Sequence, residues 1–238
     1  MFSFFTFAGM NNIPIPPEIK DDELYDRLID TIRLFAHEIQ TVLEVGASSG
    51  DGSTEAIASA LSQYVPSKTF YTIEASPVRY EILKQRYANI DWLIPMLGSS
   101  VFLEEYVPKG YAEFYHKKHK RRFGQYDLSF LLDWYVNEKA LIQDNNLPQG
   151  VIDSIKKENN IDFFDFVILD GSPYTGYSEF QKILGAKIIV FDDVLDIKHD
   201  KSHELLKAMT EYECIYCNLL HRNGYSIWVK KYLIDSLF

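Results

Sequence analysis

Residues 41–54, TVLEVGASSGDGST, join an apolar strand to the start of a helix through Gly46, Gly50 and Gly52. Glycine carries no Cβ, so a strand-to-helix turn built on three of them can lay its backbone against a bound molecule. In a βαβ unit such a turn ordinarily cradles a pyrophosphate at the helix N-terminus. Here Glu44, Asp51 and Glu55 flank the turn, and like charges at contact distance cost roughly 1 kcal/mol in water and several at lower effective dielectric. A phosphate is therefore a poor guest. A cofactor with a cationic amino-acid end and no phosphate suits the turn better, and Ser53 or Thr54 is the expected N-cap of the helix that follows.

The rest of the chain alternates strands and helices around this turn. Tyr25, Leu28, Ile29, Ile32, Phe35, Ala36 and Ile39 repeat at three and four, which predicts an amphipathic helix over 21–39. Ala56, Ile57, Ala60, Leu61 and Tyr64 mark the core face of the helix behind the turn. TFYTIEA and DWLIPML read as the next two strands, with a helix starting at Pro77 between them. FFDFVILDGS and AKIIVFDDV are continuous apolar runs of the kind that parallel strands need when both faces are covered. A helix over 202–212 precedes a hairpin of 213–220 and 225–231 around Arg222, Asn223 and Gly224. This pattern predicts a three-layer α/β sheet, mostly parallel, closed by an antiparallel C-terminal hairpin.

Two segments stand outside that pattern. Residues 1–20 include the apolar stretch MFSFFTFAGM, which lacks a basic flank and runs into Pro14, Pro16 and Pro17, so it reads as a buried or swapped arm rather than a signal segment. A swapped arm would make the chain a homo-oligomer. Residues 101–160 are far longer than a crossover requires; they read as a helical, aromatic and basic insertion placed to cap an acceptor site. Its middle carries Lys117, Lys118, Lys120, Arg121 and Arg122 with Tyr115, Phe123 and Tyr126, while His116 and His119 read as part of a solvated face.

Charge and cysteine content narrow the partners. A net charge of −10 argues against nucleic acid and anionic membrane and for a small-molecule partner. No segment reaches the roughly 20 apolar residues of a membrane helix. Cys214 and Cys217 form a lone CxxC in strand-like sequence, with side chains expected on opposite faces. With no disulfide framework, a cytoplasmic location is the default.

Glu74 ends the second strand, 24 residues after Gly50, near the spacing at which an acid reaches the ribose hydroxyls of a nucleotide site. A carboxylate accepts both hydrogen bonds of a vicinal diol. Together, E-V-G-A-S-S-G-D-G, the I-E-A-S-P strand end, and D-F-V-I-L-D-G-S followed by I-I-V-F-D-D resemble the ordered motifs of class I S-adenosylmethionine-dependent methyltransferases over residues 40–100 and 162–231. The resemblance implies a Rossmann-like sheet of order 3-2-1-4-5-7-6. It also implies that Glu44 and Gly46 lie by the methionine part of S-adenosylmethionine, Glu74 by the ribose and Ser99 near the adenine. Ala47, Ser48, Gly50, Ser53, Ala75 and Asp170 complete that cofactor set. Family members usually carry an acid near the position of Ser99.

Ligands in open α/β sheets bind outside the carboxyl ends of the strands, so Asp170, Asp192 and Asp193 should converge there. Three carboxylates suit a hard divalent cation such as Mg²⁺, and the pattern is similar to the metal-dependent branch of small-molecule O-methyltransferases. Relatives with D-G-x-H carry a histidine where this chain has Pro173. The acceptor oxygen needs activation by a metal or by a general base. Asp170, Lys198 and His199 are the catalytic candidates, His199 being the base that titrates near neutrality. The expected activity is O-methylation of a hydroxylated sugar, glycoside or natural-product intermediate. Two rivals remain: a binding or assembly module that keeps the fold without turnover, and a nucleotide-cofactor oxidoreductase, against which the acidic turn and the absence of GxGxxG spacing both argue.

Overall fold

The computed structural model describes residues 19, 20, 22–118 and 128–237. Helix α1 (Glu23–Leu34) starts where the Asp22 carboxylate accepts the backbone N–H of Tyr25 at 2.9 Å and buries Leu24, Leu28 and Ile32. It is shorter than the apolar repeat predicts: the backbone leaves helical geometry at Phe35, and a 3₁₀ turn (Ala36–Glu38) delivers Phe35 and Ile39 to the core. Strand β1 (Thr41–Val45) leads through the glycine turn into α2 (Ser53–Tyr64). Then come β2 (Thr69–Glu74), α3 (Pro77–Arg86) and β3 (Leu93–Leu97).

Past β3 lie α4 (Lys109–Lys118), α5 (Leu128–Asp144) and α6 (Val151–Asn159). The last of these belongs to the sheet, because Val151, Ile152 and Ile155 pack on its strands as a crossover helix. The extra chain therefore ends near residue 150, earlier than the sequence suggests. Its neck is pinned where Ser99 N–H donates to Pro148 O (2.8 Å) and Val151 N–H to Ser99 O (3.1 Å). The basic run lies mostly outside the described residues, as does nearly all of the 1–20 arm.

The chain continues through β4 (Phe166–Leu169), α7 (Gly176–Ile183), β5 (Ile188–Asp192), α8 (Asp200–Ala208), β6 (Tyr212–Asn218), β7 (Tyr225–Lys230) and α9 (Lys231–Asp235). The seven strands form one sheet of order β3-β2-β1-β4-β5-β7-β6. Pairings from β3 to β5 are parallel, and those of β7 with β5 and β6 are antiparallel. Every residue of β4 and β5 is buried, as covering both faces requires. Strand alternation divides the core: Val42 faces α1 and α2 with Leu28 and Leu61, while Leu43 and Val45 face α6 and α7 with Ile152 and Phe180. No helix among the described residues is long and apolar enough to cross a membrane.

One local expectation fails at the sheet edge. A bulge between Cys214 and Tyr216 shifts the register, so Cys214 stands opposite Trp228 and Cys217 opposite Ser226. Trp228 and Ser226 are two apart on β7, so both cysteines share a face instead of taking opposite ones.

Candidate active site at the carboxyl edge of the sheet

The glycine turn is fixed by contact with the neighbouring strand. Gly46 has φ +94°, and a Cβ there would stand 2.2 Å from the Asp170 carbonyl oxygen. Glycine is thus required both for conformation and for the close approach of the β1 and β4 ends. Gly46 and Ala47 N–H groups both donate to Ile73 O, at 3.0 and 3.2 Å. The N-cap of α2 is Gly52, which makes no side-chain cap bond. Ser53 and Thr54 turn inward instead and, with Thr72, donate to Glu44, at 2.6 Å from Ser53 and 2.7 and 2.6 Å from the two threonines.

Glu44 is consequently an interior acid. It is 0 % exposed and lies on the α1–α2 side of the sheet, the side of Val42. Burial pushes its carboxyl upward and the three hydroxyl bonds pull it back. It does not line the cavity, contrary to the sequence-based expectation. The other two acids of the turn are countered: Asp51 lies 3.6 Å from Arg86 and Glu55 lies 3.3 Å from Lys20. With a cation beside each of these two acids, the turn does not repel a phosphate as its sequence suggests.

Glu74 is placed differently. Its two carboxylate oxygens accept the backbone N–H groups of Ser48 and Ser76, each at 2.7 Å. A carboxylate has about four acceptor sites, so lone pairs remain for a ligand. A cavity of about 430 Å³ opens beside it. Gly46, Ser48, Glu74, Ala75, Ser99 and Asp170 of the expected set line this cavity. Ala47 and Ser53 line its neighbour, and Gly50 and Glu44 line neither. Ser99 donates to Val101 O at 2.7 Å.

The opposite wall comes from the insertion, where Phe130, Trp134, Glu138, Leu141 and Ile142 of α5 face the strand ends. Two acids on this wall and floor are not evident from the sequence. Glu138 accepts from Ser172 Oγ and from Trp134 Nε1 (2.6 Å), and burial pushes its carboxyl up to about 7. Glu179 accepts from Ser100 (2.5 Å) and Thr175 (2.6 Å), while its Oε2 has no hydrogen-bond partner among the described residues. The one sequence signal for Glu138 is its helical spacing from Trp134 and Leu141, which does not say what that face packs against.

A second cavity of about 380 Å³ adjoins the first and shares Gly46, Ser48 and Asp170 with it. Ile19, Tyr115, Trp134, Asp196, Lys198 and Arg222 help to line it. The strand ends bring Asp170, Asp192 and Asp193 together, with ligand atoms within 4.8 Å of one another. Each is already matched with a cation. Lys198 Nζ stands 2.7 Å from Asp170 Oδ1 and 2.6 Å from Asp193 Oδ2, and Arg222 Nη1 stands 2.8 Å from Asp192 Oδ2. Divalent ions bind oxygen at about 2.0–2.6 Å, so an ion held by Asp170 Oδ1 and Asp193 Oδ2 would overlap the ammonium. With Lys198 in place, those two oxygens cannot also hold a divalent cation.

The two basic candidates for proton abstraction also change role. Burial alone would push Lys198 down, but the Asp170, Asp193 and Asp192 carboxylates outweigh it and hold the amine well above its ordinary value. It is a fixed ammonium, not a base. His199 is 0 % exposed, with Nε2 3.0 Å from Leu169 O and the ring stacked on Phe191 at 4.8 Å. The carbonyl can only accept, so Nε2 carries the proton. Burial, aided by Lys198, drives the imidazole down to about 3. His199 lines neither cavity and is a core residue. Asp170, which burial raises well above the usual carboxylate range, is the catalytic candidate standing at the junction of both cavities. Asp196, which burial pushes up to about 6, is a further acid of the second cavity that the sequence alone does not single out.

No protein-family model matches the sequence, and no curated protein does. Solved structures do match. An O-methyltransferase from Bacillus cereus in complex with SAH has 15 % identity and a TM-score of 0.56, covering 94 % of this chain and 86 % of that one. TomG, an O-methyltransferase from Streptomyces achromogenes involved in tomaymycin synthesis and solved with SAM, has 15 % identity and a TM-score of 0.51, covering 90 % and 82 %. A methyltransferase from Geobacter sulfurreducens has 14 % identity and a TM-score of 0.50, covering 94 % and 83 %. Identity at this level speaks to architecture, and with the strand order above it gives the chain the fold of the class I S-adenosylmethionine-dependent methyltransferases.

Proposed function

We propose that this protein is an S-adenosylmethionine-dependent methyltransferase acting on a hydroxyl oxygen of a small molecule, such as a sugar, glycoside or natural-product intermediate. The observation that carries the reading is the pair of adjoining cavities that share Gly46, Ser48 and Asp170, one beside the half-satisfied Glu74 and one beside Lys198. The residues fit the cofactor: Glu74 keeps lone pairs for a ribose diol, and Gly46 presents backbone to both cavities beside it. S-adenosylmethionine supplies a sulfonium-bound methyl group, whose transfer to an oxygen lone pair breaks the carbon–sulfur bond and leaves its electron pair on sulfur.

The chain's own residues supply alignment, proton removal and dryness. Holding two reactants in line contributes several kcal/mol in such displacements. Asp170, which lines both cavities, takes the acceptor's hydroxyl proton. Trp134 lines both cavities and Phe130 the first, so α5 limits water at the junction. The test is S-adenosylhomocysteine formation from S-adenosylmethionine across a panel of hydroxylated acceptors, with cofactor binding measured in parallel by calorimetry. Turnover with at least one hydroxylated acceptor is expected, falling by about 100-fold or more in Asp170→Asn. Binding without turnover on the whole panel would favour a binding module, and no binding would remove the cofactor assignment.

A further inference from the structure

We propose that Lys198 is a built-in cation: its ammonium, not a divalent metal, fills the site formed by Asp170, Asp192 and Asp193 and presents a donor to the acceptor oxygen. The last clause rests on the methyltransferase reading; the first stands on geometry alone.

The fold holds the ammonium between two strand ends. Its side chain is 9 % exposed and bridges Asp170 and Asp193, residues that come from the ends of two adjacent strands. The chain between Asp193 and Lys198 folds back on itself. Asp193 takes φ +58°, Asp196 N–H donates to Asp193 O at 2.9 Å, and Lys198 N–H donates to Asp196 Oδ1 at 3.3 Å. On one side His199 is locked to Leu169 O and Phe191. On the other, the Lys198 carbonyl approaches Gly176 so closely that a Cβ there would be 2.3 Å away. His199, the residue expected to be a base, is thus a positioning residue whose burial fixes the backbone of its neighbour. An ammonium has three N–H donors, and two are used by the aspartates. Lys198 lines the second cavity, so the third donor is available to an oxygen bound there. Arg222 completes the balance by taking Asp192 Oδ2.

The experiment is a Mn²⁺ titration, followed by electron paramagnetic resonance, of full-length protein stripped with chelator. Wild type, Lys198→Met, Lys198→Arg and the double variant Lys198→Met/Asp193→Asn are compared. Wild type and Lys198→Arg should bind no Mn²⁺ below about 1 mM, whereas Lys198→Met should gain one site at least about tenfold tighter, lost again in the double variant. One Mn²⁺ bound by wild type and weakened by Asp193→Asn would overturn the proposal. Silence in both wild type and a folded Lys198→Met would overturn the claim that the aspartates form a cation site that lysine fills. Circular dichroism establishes folding; if Lys198→Met does not fold, wild type with and without Asp193→Asn decides alone. Methyl transfer in excess chelator adds the functional arm, with full turnover expected and loss on chelation counting against the idea. S-adenosylhomocysteine binding is read separately, so failure of the methyltransferase reading shows there and leaves the Mn²⁺ result to judge the lysine.

Discussion

At the β1–β2 end of the sheet's carboxyl edge, acids meet neutral donors: Glu44 takes three hydroxyls and Glu74 two backbone N–H groups. At the β4–β5 end, acids meet cations, with Lys198 on Asp170 and Asp193 and Arg222 on Asp192. Neutral donors orient a carboxylate without cancelling its charge, whereas an ion pair cancels it and fixes both partners. The first end can hold a ligand's hydroxyls by hydrogen-bond direction. The second is fixed by its ion pairs, which hold Lys198 against Asp170 and Asp193 at the wall of the second cavity.

The largest effect should come from breaking the seam between the two ends. Gly46→Ala places a Cβ on the Asp170 carbonyl at a positive φ, and cofactor binding should fall by on the order of 100-fold or the fold should be lost. Thermal melting and calorimetry separate those outcomes, and unchanged binding in a stable variant would break the seam as described.

A smaller effect concerns the anchor beneath the charged end. His199 is depressed to about 3 in the folded protein, against about 6.5 unfolded. The unfolded chain therefore binds the extra proton first, so the contribution is fully present above pH 6.5 and is lost as pH falls toward 3. Stability should drop by about 1.4 kcal/mol per pH unit below pH 6 on this account. His199→Phe should remove that part of the slope in urea unfolding between pH 4.5 and 7. An unchanged slope would place the imidazole in a wetter setting.

The strands, their order by resemblance, the glycine turn and the strand-end acids were legible in the sequence. Directions were not. Glu44 sits in a strand covered on both faces, where a period of two cannot say which face is the ligand's. The Lys198–Asp170 pair spans 28 positions, and neighbours such as Lys198 and His199 point to different surroundings because the turn between them is set by Leu169, Phe191 and Gly176. Glu138 comes from an insertion whose docking no local pattern encodes, and the shared face of Cys214 and Cys217 depends on a one-residue bulge.

Glu44 and Glu74 differ in whether they face the cavity, and calorimetry with S-adenosylhomocysteine measures that difference. Wild type should bind, Glu74→Ala should weaken binding by about tenfold or more, and Glu44→Gln should stay within about threefold of wild type. No binding by wild type, or equal losses in the two variants, would remove Glu74 from the cofactor site.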